Sequence, residues 1–257
     1  MKLKMKRFLI KLAIAGLIAA SVATAGTASS ARAESAYATP PLLITEMVPD
    51  STNIGSADGY EFIEVYNNTN QPIDFKDYML IYRYPGKKDE DLYWKPYVDV
   101  VIPPQGTMVF WGMTGPNENT PVADFNANYG TNLTENVDIV RIPGGLHNSR
   151  DRMVVIATNT GHELVTAGYN NGVDDTNPNM GIKYRYPEPG STEMIKINGG
   201  IEPATPGTVE AGQVPDEPLV VERDSIPPII TDRTAGIHTD LTKPIEIEVQ
   251  AEDDRLV

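Results

Sequence analysis

The chain has 257 residues, no cysteine and a formal net charge of −14 at pH 7, from 35 Asp and Glu residues against 21 Lys and Arg residues. Without cysteine the chain cannot form disulfides, use a thiol nucleophile or bind zinc through cysteine. A surface this acidic repels phosphate backbones, which argues against nucleic-acid binding by charge alone.

Residues 1–33 have the organisation of a secretory signal peptide. A basic start precedes an apolar run from Leu12 to about Ala25, and Ala31-Arg32-Ala33 supplies an A-x-A cleavage site. A transmembrane anchor is the alternative, but the apolar run is short and contains Ser and Thr. Cleavage would remove six positive charges and no acid, changing the net charge from −14 to −20. We therefore expect a secreted or extracellular protein, with no membrane span after cleavage and with the cell envelope as a further location.

After a short tether at residues 34–41, strand-like runs alternate with clusters of Gly, Pro, Asn and Asp. Many short β-branched and aromatic runs separated by turn signals predict an all-β sandwich or barrel. Residues 123–130 alone suggest a short helix. The predicted strands are LLITEM (42–47), EFIEVYN (61–67), MLIYRY (79–84), TMVFW (107–111), DIVRI (138–142), MVVIAT (153–158), ELVTAGY (163–169), IKYRY (182–186) and MIKIN (194–198).

The order of several motifs resembles the lamin tail domain as it occurs in exported bacterial proteins. PLLITEMVPDS comes first, GYEFIEVYNNTNQPIDFKDYMLIY and IPPQGTMVFW follow, and ATPG closes the span from about Pro41 to Gly207. The resemblance implies an immunoglobulin-like β-sandwich with long loops, over residues 42–207, and no active site of its own. It also implies an accessory or attachment module that accompanies other β-sandwiches and hydrolases, including metal-dependent phosphoesterases. The stretch 112–190 is longer than in the compact family form, which leaves its strand count open.

The composition changes near Pro203. Residues 208–227 are rich in Pro, Glu and Val and predict an extended acidic linker. Residues 228–257 contain two further strand patterns and are similar to the start of a bacterial immunoglobulin-like repeat. We expect the sequence to be the N-terminal part of a longer protein. A frayed C-terminal tail is the alternative, but IEIEVQAEDD has a clear period-2 pattern.

Glu61 and Glu64 are the first candidates for catalysis. Side chains alternate between the faces of a strand, so these two carboxylates lie on opposite faces and cannot flank one glycosidic bond. We expect each to be exposed, hydrogen-bonded or ion-paired near a strand end. Glu64 has aromatic neighbours on its face and is expected to be partly buried, with Arg83 or Arg141 as its partner.

The segment NNGVDDTNPNMG is the candidate metal site. Asp175, Asn177 and Asn179 alternate like the first ligands of a calcium loop, and Asp174 adds a carboxylate. The glycine of such a loop is one position late, and the twelfth position is Tyr186 instead of Glu. Calcium is the one cofactor that the sequence predicts, and an ordinary Asx-rich turn is the alternative.

The tetrapeptide YRYP occurs at residues 82–85 and 184–187 and places two tyrosines on one strand face. Exposed tyrosine faces could stack on sugar rings or fill a protein interface, but buried strand ends explain the motif better. The histidines, His147, His162 and His238, lie outside any phosphoesterase, hydrolase or metalloprotease motif. No catalytic residue is therefore predicted.

These observations predict an exported, non-catalytic module for binding, attachment or positioning within a larger extracellular protein. The alternative is the accessory part of a secreted metal-dependent phosphoesterase or nuclease whose catalytic domain follows residue 257. A carbohydrate-binding sandwich that uses the tyrosine faces is a weaker third reading. The expected partners are downstream domains of the same protein and an extracellular or cell-envelope protein or glycan, and no nucleic acid.

Overall fold

The computed structural model describes residues 39–221, 229–234 and 248–252. The chain divides into two compact units, and residues 39–221 belong to one of them. The two short C-terminal stretches belong to the other unit. The predicted signal peptide and most of the tether lie outside the described residues.

The described residues form sixteen strands, one α-helix and two short 3-10 turns at Phe75–Asp77 and Lys88–Glu90. Helix α1 spans Val122–Tyr129, which confirms the predicted short helix. The strands are β1 (Leu42–Val48), β2 (Asn53–Ile54), β3 (Ala57–Asp58), β4 (Phe62–Asn67), β5 (Ile73–Asp74), β6 (Tyr78–Arg83), β7 (Leu92–Trp94), β8 (Val101–Ile102), β9 (Thr107–Met113), β10 (Ile139–Pro143), β11 (Arg152–Thr158), β12 (Glu163–Tyr169), β13 (Met180–Arg185), β14 (Ile195–Pro203), β15 (Ile229–Asp232) and β16 (Val249–Glu252).

Two sheets build the larger unit. One has six strands in the order β10-β9-β4-β1-β13-β14, and the other has four in the order β12-β11-β6-β7. Neighbouring strands are antiparallel except for β9 and β10, which are parallel. The stretch 112–190 contributes α1 and strands β10 to β13 after the end of β9. The architecture confirms the predicted immunoglobulin-like β-sandwich with long loops.

The central strands of the larger sheet are buried on both faces. On one face of β4, Ile63 and Val65 pack in the core between the two sheets with Leu80. On the other face, Phe62 packs with Trp111 and with residues of α1. Because both faces are covered, these strands read as nearly continuous apolar runs, as the buried pattern of β1 shows.

The segment 208–221, which its composition assigned to a linker, packs against the sandwich. Gln213 is 1 % exposed, and its Nε2 donates to the backbone oxygens of Thr45 and Tyr184. The backbone nitrogen of Leu219 donates to the oxygen of Asn68 at 2.7 Å. The compact unit therefore continues to Val221. Hydrogen bonds hold this segment on the sandwich, although it has no periodic pattern of apolar residues.

In the second unit, β15 and β16 pair antiparallel over four residues each. Both strands coincide with the predicted strand patterns of this region. Their membership of an immunoglobulin-like domain stays a prediction. In the described parts of the chain, no helix is long and apolar enough to cross a membrane.

Candidate functional site

Glu64 is fully buried on the outer face of the six-stranded sheet. Its Oε1 accepts a hydrogen bond of 2.6 Å from the hydroxyl of Thr45, and its Oε2 accepts one of 2.6 Å from the backbone nitrogen of Gly207. Burial raises the pKa of this carboxyl, and the hydrogen bonds from Thr45 and Gly207 oppose that rise. Glu64 therefore holds the closing segment of the domain onto the sheet.

The predicted arginine partners of this glutamate are wrong. Arg83 forms ion pairs with Asp91 and Glu163, and Arg141 pairs with Glu135. Arg83 lies on β6 in the other sheet, and Arg141 lies on β10, two strands away from β4. The order of strands in the sheets, which the sequence does not reveal, separates the expected partners.

Glu46 lies directly opposite Glu64 in the register of β1 and β4, and opposite Lys183 in that of β1 and β13. Both carboxyl oxygens of Glu46 accept from the backbone nitrogen of Thr205, at 3.1 and 3.0 Å. Burial raises the pKa of Glu46, and the neighbouring Glu64 raises it further. The carboxyls of Glu46 and Glu64 thus bind the backbone of residues 205–207, which lies over this face of the sheet. Both side chains are buried and out of contact with solvent.

Glu61 lies on the opposite face of the strand from Glu64, as the alternation of side chains predicts. Its Oε1 accepts a 3.0 Å hydrogen bond from the backbone nitrogen of Leu146, and the side chain is buried. Burial, with a smaller contribution from Asp58, raises the pKa of Glu61 to about 9. Both glutamates are hydrogen-bonded, neither is exposed, and they are not an acid/base pair.

The four predicted calcium ligands already have partners within the protein. Asp175 is buried and pairs with Lys196, and its Oδ2 accepts from the backbone nitrogen of Asn170 at 2.8 Å. Lys196 thus supplies the positive charge that a calcium ion would otherwise bring. The remaining contacts join Asp174 to Thr176, Asn177 to the oxygen of Gly200, and Asn179 to Thr52 and Asn128.

No group of three or more His, Asp or Glu side chains in the described ranges is placed to hold a metal ion. That finding does not test a site built partly from asparagine oxygens. Calcium binding by Asp174, Asp175, Asn177 and Asn179 therefore stays a prediction.

The two YRYP motifs have different environments. Tyr184, in the second motif, is fully buried, and its hydroxyl donates to the backbone oxygen of Gly168 at 3.0 Å. In the first motif, the ring of Tyr82 stacks on Trp94 with a centroid distance of 4.8 Å and an interplanar angle of 13°. Tyr84 meets Tyr82 edge-on at 5.7 Å and is only half-buried. The first motif borders a cavity.

This cavity, the aromatic cleft, has a volume of about 400 Å³. A second cavity of about 650 Å³ adjoins it and shares Tyr84 and Arg152. The aromatic cleft is lined by Tyr82, Tyr84, Leu92, Trp94, Gly144, Gly145, Leu146, His147, Asn148 and Arg152. The second cavity adds Pro85, Lys87, Glu90, Ser149, Arg150 and Asp151.

Buried groups hold the loop 144–148 in place as one wall of the cleft. The backbone nitrogen of His147 donates to the hydroxyls of Tyr82 and Tyr169, at 2.9 and 3.0 Å. Glu61 accepts from the preceding nitrogen in the loop, that of Leu146. A Cβ at Gly144 would lie 2.8 Å from the Trp94 ring, so glycine permits the close approach of the loop to the indole. The wall is therefore preorganised.

Two arginines lie at these cavities, Arg152 at both and Arg150 at the second, alongside the acidic Glu90 and Asp151 of the second. The guanidinium of Arg152 lies 4.2 Å from the centre of the Tyr84 ring, a cation–π arrangement. Arg150 forms no ion pair with any residue in the described ranges. Burial lowers the pKa of His147, and the charges of Arg152 and Arg150 lower it further. The two guanidiniums are thus the groups here that suit a negatively charged ligand.

The sequence singled out Tyr82 and Tyr84 but not Trp94 or Arg152. Leu92 and Trp94 alternate onto one strand face, which was a usable signal. The pairing of β6 with both β7 and β11, which brings Trp94 and Arg152 to the same tyrosines, has no local signal.

Comparison with known proteins gives the family. The Lamin Tail Domain family matches residues 35–176. A curated relative, "Uncharacterized protein YvnB" of Bacillus subtilis (strain 168), is 39% identical over 221 residues, which are 85% of this chain. The same match covers 17% of the relative, so the chain spans about a sixth of the length of the protein it matches. The chain belongs to the lamin tail domain family, a family of immunoglobulin-like, non-catalytic β-sandwiches.

Proposed function

We propose that this chain is an exported binding module that attaches and positions a larger extracellular, multidomain protein through the aromatic cleft. The observation that carries the proposal is the contrast between the buried carboxyls of the six-stranded sheet and the arginines at the cleft. The carboxyls of Glu46, Glu61 and Glu64 are buried against backbone nitrogens. The arginines at the cleft are instead available to a ligand.

The cleft has the general character of a ligand site. Small-molecule sites are concave, mostly apolar and carry a few convergent polar groups. Tyr84 and Leu92 form the accessible apolar surface, and Arg152 supplies the charge. A rigid wall lowers the entropy lost on binding, because the loop 144–148 is held in place before the ligand arrives.

The proposed partners are a glycan or protein of the cell envelope, together with other domains of the same polypeptide. The length of the B. subtilis relative supports the multidomain setting, since the match covers 17% of it. In such a setting a modest affinity suffices, because a tethered module raises the effective concentration of the domains attached to it.

Sedimentation of the exported chain, residues 34–257, with cell-envelope preparations of its host tests the proposal. The wild-type chain should be retained with saturable binding. Leu92→Asp, which places a charge on a side chain 44% exposed at the cleft, should abolish retention. Ile197→Asp is the matched control, since Ile197 is 47% exposed on β14, in the other sheet. No retention of the wild type, or equal retention of both variants, would refute the proposal.

A further inference from the structure

Two buried polar atoms at the cleft lack a hydrogen-bond partner. Among the residues that the structure describes, three buried side-chain polar atoms have none, and two of them are Oδ1 of Asp151 and Nε of Arg152. Buried polar groups without partners are rare in native proteins, and each calls for an explanation such as an absent ligand or water. Arg152 lines both cavities, and its neighbour Asp151 lines the second one, so the two residues lie where the cavities adjoin.

One of these atoms is an acceptor and the other is a donor. The Nη1 of Arg152 donates to the backbone oxygen of Asp151 at 2.7 Å, whereas its Nε donates to nothing. The Nε side of a guanidinium is a planar edge that binds a carboxylate through two parallel hydrogen bonds. The unpaired oxygen of Asp151 can in turn accept from a hydroxyl. A ligand that satisfies both atoms therefore carries a carboxylate and a hydroxyl close together.

The size and lining of the cleft define the rest of the ligand. A volume of about 400 Å³ is at the small end of the range for ligand sites and fits one or two sugar rings. The half-buried Tyr84 and the exposed Leu92 give the cleft an accessible apolar surface, which the C–H face of a pyranose ring can cover. A hexuronate presents this apolar face, ring hydroxyls and a planar carboxylate on a single ring.

We infer that the aromatic cleft, where it adjoins the second cavity, binds a hexuronate unit of an acidic polysaccharide, with its carboxylate on Arg152 and a ring hydroxyl on Asp151. This inference rests on the proposed function and names its ligand. An acidic peptide offers the carboxylate without a flat apolar face. A phosphate polymer such as poly(glycerol phosphate) offers the charge and a hydroxyl, but it has no flat apolar face to cover Tyr84 and Leu92. Arg150, which has no ion pair among the described residues, adds a second positive charge in the adjoining cavity.

Affinity electrophoresis of the exported chain in gels that contain polygalacturonate tests the inference. Its methyl ester is the matched ligand, because it keeps the sugar and removes the charge. Poly-glutamate and poly(glycerol phosphate) represent the acidic peptide and the phosphate polymer. Salt at about 0.15 M screens the repulsion between the acidic chain and an acidic polymer beyond ~8 Å. We expect retardation by polygalacturonate, and retardation at least about tenfold weaker with the ester.

Arg152→Gln should weaken the binding of polygalacturonate by about tenfold or more, because it removes a charge-assisted, two-point contact. Arg185→Gln is the control, since Arg185 also lies over a tyrosine, Tyr186 at 6.0 Å, but in the second YRYP motif. Arg152→Lys keeps the charge without the planar edge and should also bind more weakly. Thermal melting of each variant separates lost binding from lost folding.

The inference would be overturned if the ester retarded the wild type as strongly as polygalacturonate does. It would also be overturned if polygalacturonate retarded Arg152→Gln as strongly as the wild type. So would equal or stronger retardation by poly-glutamate or poly(glycerol phosphate). If the wild type ignores polygalacturonate but still sediments with cell envelopes, the hexuronate is wrong and the proposed function stands. If the wild type does neither, both fall.

Discussion

Replacement of Glu61 by glutamine should make the protein more stable at neutral pH. In the folded protein burial raises the pKa of this carboxyl to about 9, whereas the unfolded chain has the ordinary value of 4.5. Below pH 4.5 the carboxyl is protonated in both states. As the pH rises above 4.5, the unfolded chain loses the proton first, so the folded protein loses stability up to the folded pKa.

The size of the change in unfolding free energy follows from the pH range between the unfolded and the folded pKa of Glu61. Each pH unit between the two pKa values costs about 1.4 kcal/mol, so Glu61 alone removes about 3 kcal/mol of unfolding free energy between pH 5.5 and 7.5. Glutamine has the same shape as the protonated glutamate and keeps an oxygen for the backbone nitrogen of Leu146. It does not ionise, and the variant therefore lacks this part of the pH dependence.

Urea unfolding of wild type and Glu61→Gln at pH 5.5, 6.5 and 7.5 measures the effect. The advantage of the variant should grow by about 3 kcal/mol across the series. Glu163→Gln is the control, because the pair with Arg83 lowers the pKa of Glu163. That carboxylate stabilises the fold above its unfolded pKa, so its loss should not become favourable as the pH rises. Parallel curves for wild type and Glu61→Gln would show that Glu61 is ionised in the fold and would refute the reasoning.

Three further predictions concern the rest of the domain. Glu64→Ala leaves the backbone nitrogen of Gly207 without its acceptor, and urea unfolding should show a loss of at least about 1–3 kcal/mol; an unchanged midpoint would contradict this. A chain that ends at Gly207 should melt several degrees below one that ends at Val221, because it lacks the buried Gln213; equal melting temperatures would return the segment to the status of a linker. If the predicted calcium site forms, calcium should raise the melting temperature saturably and Asp175→Asn should remove the rise, whereas no shift in the wild type would discard the site.

The strands were predictable because a half-buried strand has alternating apolar residues and a fully buried strand has a continuous apolar run. Residues 61–67 contain β4, residues 153–158 cover all of β11 except its first residue, and the short helix occurs within one residue of its predicted position. The pairing of strands was not predictable from these patterns. Glu64 was given arginine partners that lie on other parts of the fold, because nothing local records the sheet to which a strand belongs.

The docking of the segment after Gly207 and the existence of the cleft could not be predicted from the sequence, for related reasons. Residues 208–221 have the composition of a linker, yet single hydrogen bonds from Gln213 and Leu219 dock them on the sandwich. The cleft is built where β6, β7, β11 and the loop 144–148 meet, at separations of up to about 70 residues along the chain. Two glycines and a histidine in a loop do not reveal that they border a tryptophan.

The central claim is that ligand binds in the aromatic cleft, and NMR of a chain of residues 34–257 tests it most directly. The two tryptophans provide an internal control, since Trp94 lines the cleft whereas the indole of Trp111 lies on the outer face of the six-stranded sheet and donates to the oxygen of Gly59. On addition of solubilised envelope polysaccharide, we predict that the indole N–H of Trp94 and the amides of residues 144–148 shift while Trp111 does not. Shifts confined to Trp111 and its surroundings, or no shift at all, would contradict the account.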